Sequence, residues 1–429
     1  MKNEVSPEEQ EETCDASKKQ KKRRHTHKFF AIFFHPGSSV TAMGGAEKRF
    51  IETLKRFCAG GMLEITILES APSLLAKTEI VCKKFILPSR IIGKRWLSTY
   101  FGWIIWIVKA SAKSLTIAHN SRPEAVFVPN NTVPNLVSGV ITSSVLRLPL
   151  YVTVHHVDIP PPDSAEKNCS LHECYQSIGY GRLVSLAKTL TFYVTLSLLK
   201  KAKRIVTVSN FTAQALRNNG VSNVRILVSG NAVDVNFIRN VRAYSEEKTF
   251  DGVFVGRISK EKGVFDLLTV WKEVVKVRKN AKLLIIGNGL ESKSVKEKIA
   301  ALHLDNNIDI RRQCKDNELY SLLKASRVFL FPSLFEGWGI AVAEALACGL
   351  PVVAYDIPAL REVFGKCQSV FLVPARNRES MTSVFLDILR GGKTELEKLG
   401  NDGTTYVERF SWETISLLDM KFLGYFSSV

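Results

Sequence analysis

Residues 327–356 read RVFLFPSLFEGWGIAVAEALACGLPVVAYD. The stretch opens and closes on short continuous apolar runs, RVFLFPS and LPVVAYD, the pattern of strands buried on both faces. Between them, a Gly-containing loop leads into the helical run GIAVAEALACG. Strand, loop, helix and strand in under 35 residues form a β-α-β unit, and such a unit implies parallel pairing.

The same alternation extends in both directions. Upstream come FDGVFVG, a helix around Val264 to Arg278, KLLIIGNG, the helical SKSVKEKIAAL, NIDIRR and the helical ELYSLLKAS; downstream comes SVFLVPA. A second, earlier series starts with FFAIFF at Phe29, a loop with Gly44 and Gly45, and the helical AEKRFIETLKRF. EITILES, EAVFVPN, LPLYVTVHH, AKRIVTVSN and NVRILVSGN follow as strands, with a helix over Val133 to Leu146. Two series predict two doubly wound α/β domains facing across a crevice, with ligands at the carboxyl ends of the strands. The expected divisions are a polar, disordered tail at 1–28, one domain at 29–240, another at 245–410, and a helix at 411–429 crossing back onto the first. The 429 residues suit two domains of about 200 each.

Composition narrows the function. Hydrophobic residues make up 45% and charged residues 23%, an ordinary globular balance that excludes fibrous and disordered classes. Eight cysteines without a C-x-x-C predict reduced thiols, no disulfide framework and no zinc site, in a cytoplasmic protein. The polar N-terminus lacks the apolar stretch of a signal peptide. The net charge of +18 is uneven: residues 29–240 carry 24 Lys and Arg against 11 Asp and Glu, whereas 241–429 carry 27 against 24. A basic first domain predicts an anionic partner there, a membrane surface, an acidic substrate or nucleic acid. WLSTYFGWIIWIV (96–108), 13 residues with three tryptophans and basic flanks, is too short to cross a bilayer and suits an interfacial helix. An ordinary core helix is the competing reading, and GRLVSLAKTLTFYVTLSLLKKAKR (181–204) divides the same way.

Four features point to one site. Gly44-Gly45, between a buried strand and a helix, let a ligand approach the backbone and place an anion at a helix start. Gly256-Arg257 end a strand, and Lys262 follows just before the next helix, so two cations can clamp a diphosphate. Glu336 in its Gly-containing loop can accept sugar hydroxyls or face developing positive charge; Glu344, eight residues on, can reach a ribose. His155 and His156 end a strand aimed at the crevice, where His155 can contact substrate.

The segment FPSLFEGWGIAVAEALACGLPVV resembles the E-x7-E signature of retaining glycosyltransferase family 4, enzymes of the GT-B fold. GGAE at 44–47, T-V-H at 153–155, V-S at 208–209, NAVDVNF at 231–237, VGRISKEKG at 255–263, IGNG at 286–289 and RFSWE at 409–413 fall in family order, over roughly 29–426. The resemblance implies that Arg257 and Lys262 bind the donor diphosphate beside Gly256, with the Gly44 and Gly45 amides near donor and acceptor. It implies that Glu336 and the amides of Gly337, Trp338, Gly339 and Ile340 hold the transferred sugar, Glu344 the ribose and His155 a sugar hydroxyl. It further implies no metal and no cofactor, and the chain has no D-x-D triad. The nucleotide-sugar, UDP- or GDP-linked, is then a substrate. Ala232, Arg312 and the run YDIPALRE depart from the family pattern at a glycine, the base pocket and a Gly-Gly.

The expected function is retaining, metal-independent transfer of a hexose-type sugar from a nucleotide-sugar to an acceptor. That acceptor is expected to be a membrane lipid or lipid-linked saccharide, with the enzyme peripheral on the cytoplasmic membrane face. Alternatives on the same fold are a sugar-nucleotide epimerase, a phosphorylase or a non-catalytic partner subunit. No motif suggests a pyridoxal lysine, and a non-catalytic subunit would be expected to lose Glu336 or the Arg257/Lys262 pair. A dehydrogenase would rest on Gly287-Asn288-Gly289 alone. No nucleic-acid partner is expected, since aromatic and basic residues do not interleave.

Overall fold

A computed structural model describes residues 27–35, 44–59, 63–88, 96–157, 170–312 and 314–424. The expected tail falls almost wholly outside these residues, except that His27 and Lys28 already belong to the first strand. Seven strands build the first sheet: β1 (His27–Phe33), β2 (Leu63–Ser70), β3 (Lys83–Leu87), β4 (Ala125–Val128), β5 (Leu150–Val154), β6 (Arg204–Thr207) and β7 (Ile226–Val228). Their spatial order is β3-β2-β1-β4-β5-β6-β7. The second sheet holds β8 (Phe250–Val255), β9 (Leu283–Ile286), β10 (Ile308–Arg311), β11 (Ser326–Phe331), β12 (Val352–Tyr355) and β13 (Val370–Val373), ordered β10-β9-β8-β11-β12-β13. Every pairing is parallel. Parallel neighbours need crossover connections, and the intervening helices cover the faces of both sheets, which is why the central strands are uninterrupted apolar runs.

The order of the strands reverses in the middle of both sheets, between β1 and β4 and between β8 and β11. The loops leaving the carboxyl ends at these switch points carry Gly44-Gly45, Gly256-Arg257 and Glu336, so topology alone gathers them toward one crevice. The edge strand β3 has no counterpart in the sequence reading. Its KKFIL is exposed along most of its length and carries two lysines, which protect an edge but erase the apolar run by which buried strands are recognised.

The apolar stretch at 96–108 is the first half of a 26-residue helix, Trp96–Ser121. By length and composition it and the helix Arg182–Leu199 are each apolar enough to cross a membrane. The first lies against β1, β2 and the helix Val133–Leu146, and the second packs on the helices Val133–Leu146 and Leu171–Ser177. Trp106 is buried against Phe34, with 4.8 Å between ring centroids, and Leu196 and Leu199 join the same core. For Trp106 the core reading is therefore the correct one, and its ring is not part of an interfacial face.

The last described helix, Trp412–Leu423, packs against Gly45–Ala59 of the first domain, and Met420 and Leu423 enter a core with Phe33, Phe50 and Leu54. Arg49 and Asp419, both almost fully buried, pair at 2.8 Å and hold the two helices together. Residues 425–429, included in the expected crossover segment, lie outside the described residues.

Candidate active site

Two helix starts meet at the crevice. Gly45 opens the helix Gly45–Ala59, and a Cβ placed on it would stand 3.0 Å from the side chain of Ile340, the first residue of the helix Ile340–Ala347. The positive ends of two dipoles thus converge on one space, where an anion is favoured. Gly337 is closer still: a Cβ there would lie 1.7 Å from the His155 carbonyl oxygen, so only glycine lets this loop touch the strand end opposite.

The donor-side cations take different positions. Arg257, just past β8, is exposed and makes no ion pair with any described residue. Lys262 closes a 3-10 turn, Lys260–Lys262, and its ammonium meets Glu336 Oε1 at 2.5 Å, with both side chains largely buried. The structure therefore brings together the residue expected on diphosphate and the residue expected on sugar. Gly263, in the left-handed region at φ 67°, turns the chain into the next helix beneath the Pro332 carbonyl.

His155 donates from Nε2 to the Pro129 carbonyl oxygen at 3.0 Å. Burial first, and then the charge of Arg49, push its pKa down to about 3, so the ring is neutral at physiological pH. Such a ring can share a hydrogen bond with a hydroxyl but carries no charge to the reaction. His156 lines a small pocket with Phe335 and Glu336. The Trp338 indole is buried edge-on to Phe364 and Phe410, so only its main chain can face a ligand. Among the described residues no group of three His, Cys, Asp or Glu could hold a metal ion.

Several residues at the crevice escaped the sequence reading. Glu344 meets Lys48, Tyr320 and, through Lys48, Asp316. Glu261 in the diphosphate loop takes a 3.0 Å bond from Lys188 of the first domain, and Lys260 donates to the Gly179 carbonyl. Burial alone would raise the Glu261 pKa; Lys188 and the Tyr180 hydroxyl outweigh it and bring it down to about 2. Glu362, within the unusual YDIPALRE run, accepts from the Asn210 and Phe211 amides and caps the helix Asn210–Asn218 of the opposite domain. Lys48 and Arg49 sit directly behind Gly44-Gly45, so the one available signal was their place in the first turn of that helix.

Residues 43–237 match the model of Glycosyltransferase Family 4, and residues 237–405 match that of Glycosyl transferases group 1. The chain is 34% identical over 158 residues to the MMP alpha-(1->4)-mannosyltransferase of Mycolicibacterium hassiacum, covering 36% of this chain and 38% of that protein. It is 24% identical over 246 residues to the capsular polysaccharide biosynthesis glycosyltransferase CapM of Staphylococcus aureus, covering 56% and 62%. The chain spans about half the length of the curated relatives it matches. HepE of Anabaena, solved with UDP and glucose, superposes with a TM-score of 0.68 at 17% identity, over 92% of this chain and 98% of HepE. That likeness establishes the fold. The two family models together account for residues 43–405, and the two parallel α/β domains have the GT-B fold.

Proposed function

We propose that the protein transfers a hexose-type sugar from a nucleotide-sugar to a lipid or lipid-linked saccharide, with retention of anomeric configuration and without a metal. The observation that carries this reading is the Lys262–Glu336 pair beside the converging helix starts at Gly45 and Ile340, with Arg257 exposed in the same loop as Lys262. An exposed guanidinium, an ammonium and two dipole ends can neutralise a departing nucleoside diphosphate, a task otherwise given to a divalent cation. Lys262 and Glu336 satisfy each other. Donor phosphates draw the ammonium away and leave the Glu336 carboxylate to the sugar hydroxyls.

Departure of the diphosphate leaves oxocarbenium character on the sugar. The acceptor hydroxyl attacks from the face the diphosphate leaves, and its proton passes to the departing phosphate oxygen. No covalent enzyme intermediate is needed, and Glu336 is not a nucleophile. His155, neutral and fixed on Pro129, orients a sugar hydroxyl. HepE was solved with UDP, which favours UDP over GDP as the carrier to test first.

The acceptor side is read from the first domain. The helices Trp96–Ser121, Val133–Leu146 and Arg182–Leu199 contain no Asp or Glu. Phe101, Ile104 and Val108 form an exposed stripe on the first, and Leu183, Leu186 and Leu190 one on the third. The two helices are tied by a 3.0 Å bond between Tyr100 and Thr191. An apolar, acid-free face on a domain with 24 basic against 11 acidic residues fits an anionic bilayer and supports a peripheral position on its cytoplasmic face.

A screen of UDP- and GDP-sugars for slow hydrolysis without acceptor tests the donor half, with the anomer of the product read by NMR. Hydrolysis of one sugar with retention, undiminished by EDTA, is expected. Inversion, or activity lost on chelation and restored by manganese or magnesium, contradicts the mechanism.

A further inference from the structure

The carboxylate of Glu344 is held from the other domain. Lys48, in the first turn of Gly45–Ala59, reaches across the crevice and donates to Glu344 Oε1 at 2.5 Å and to Asp316 Oδ2 at 3.2 Å. Its ammonium also meets the Tyr320 hydroxyl and lies 5.1 Å from the centre of that ring. Tyr320 in turn donates to the same Glu344 Oε1 at 2.9 Å. Oε1 therefore takes two donors, whereas Oε2 makes no hydrogen bond to any described residue.

This arrangement has a physical reason. Glu344 is only 7% exposed, and an ionised carboxylate at that depth is costly without a cation. Asp316 adds a second negative charge beside it, and Lys48 answers both. Burial would lower the pKa of the ammonium, but Glu344 and then Asp316 outweigh burial and raise it, so the cation persists. No other Lys or Arg among the described residues pairs with Glu344.

We propose that Lys48 is a positioning residue for the donor's nucleoside: it anchors Glu344 Oε1 from the opposite domain and so presents Oε2 to the vicinal hydroxyls of the ribose. The inference rests on the reading of Glu344 as the ribose acceptor. Lys48 itself does not touch the nucleotide. Its consequence is that the ribose site, although its acceptor lies in the C-terminal domain, is complete only when the N-terminal domain stands against it.

Calorimetric titration of the full chain with UDP and GDP identifies the tighter nucleotide, and its 2′,3′-dideoxy counterpart removes the two hydroxyls. The wild type is expected to prefer the ribonucleotide by about tenfold or more, the range of a hydrogen bond to a charged group. Lys48→Met should weaken the ribonucleotide by about tenfold and leave the dideoxy analogue nearly unchanged, so that the preference collapses. Lys48→Arg, which keeps the charge, should restore most of it. In turnover, Lys48→Met should raise the donor KM with little change in kcat. Melting curves of both variants report whether they fold.

Three results overturn the inference alone: wild-type affinities in Lys48→Met, equal loss for both nucleotides, or tighter ribonucleotide binding, which would make Lys48 a plug. A wild type that binds neither UDP nor GDP overturns the nucleotide-sugar reading and this inference with it.

Discussion

Arg257 and Lys262 lie five residues apart in one loop, yet the structure gives them unlike states: the first exposed and unpaired among the described residues, the second closed on Glu336. Both are assigned to the diphosphate, so Arg257→Ala and Lys262→Ala should each lower transfer by about 10²-fold, the usual cost of removing one charge-stabilising donor. Near-wild-type rates in both folded variants would remove the clamp from the site. His155 allows a separate test. Its folded pKa, about 3, lies below the ordinary 6.5, so the unfolded chain takes up the proton first. The stability that the neutral ring contributes is complete above pH 6.5 and is lost as pH falls toward 3. One proton is worth about 1.4 kcal/mol per pH unit, so the stability gap between wild type and His155→Gln should narrow by about 1 kcal/mol per unit between pH 6 and 5. Urea unfolding at pH 7, 6 and 5 measures it, and a constant gap would contradict the buried neutral ring.

Two elements show what periodicity conveys and what it leaves open. The helix Ile340–Ala347 was legible because Gly339 and the apolar run after it mark a start, and Glu344 stood out as a carboxylate among alanines and leucines. The neighbouring loop makes a close approach to the opposite domain at Gly337. Gly337→Ala places a methyl group 1.7 Å from the His155 carbonyl oxygen, so the loop and β5 must separate. A displacement of about 1 Å at reacting groups costs about 10²-fold, and a loss of transfer of that size is expected with the fold intact. Unchanged activity in this variant would show that the crevice does not need this contact. The helix Trp96–Ser121 teaches the reverse lesson. Its apolar residues run all round, so spacing could not tell which tryptophan faces the sheet; packing against Phe34 decided for Trp106. Trp106→Ala should therefore destabilise the protein by about 3–5 kcal/mol in denaturant unfolding, as a core cavity does, and it is a poor probe of membrane contact.

At the scale of the whole molecule, charge and apolar surface coincide on the first domain, while the second domain is nearly neutral. Liposome flotation should recover the enzyme with anionic vesicles and not with neutral ones, and salt should weaken binding, at about 1 kcal/mol per well-placed Lys or Arg. Phe101→Gln, Ile104→Gln, Leu186→Gln and Leu190→Gln together change only exposed side chains and should abolish flotation without lowering stability. Equal recovery in the soluble fraction with either vesicle type would refute the bilayer as partner. The sequence by itself determined the two α/β domains, because strands of a parallel sheet are buried on both faces and so appear as apolar runs between helices. It also determined Arg257, Lys262, Glu336 and Glu344 as candidates, because each pair lies within a single loop or loop-helix unit whose spacing is local. Tertiary structure alone decided which groups meet across the crevice: Lys48 with Glu344, Lys188 with Glu261, Arg49 with Asp419. Those partners lie far apart along the chain, and no local periodicity encodes a contact that forms only when two finished domains are packed together.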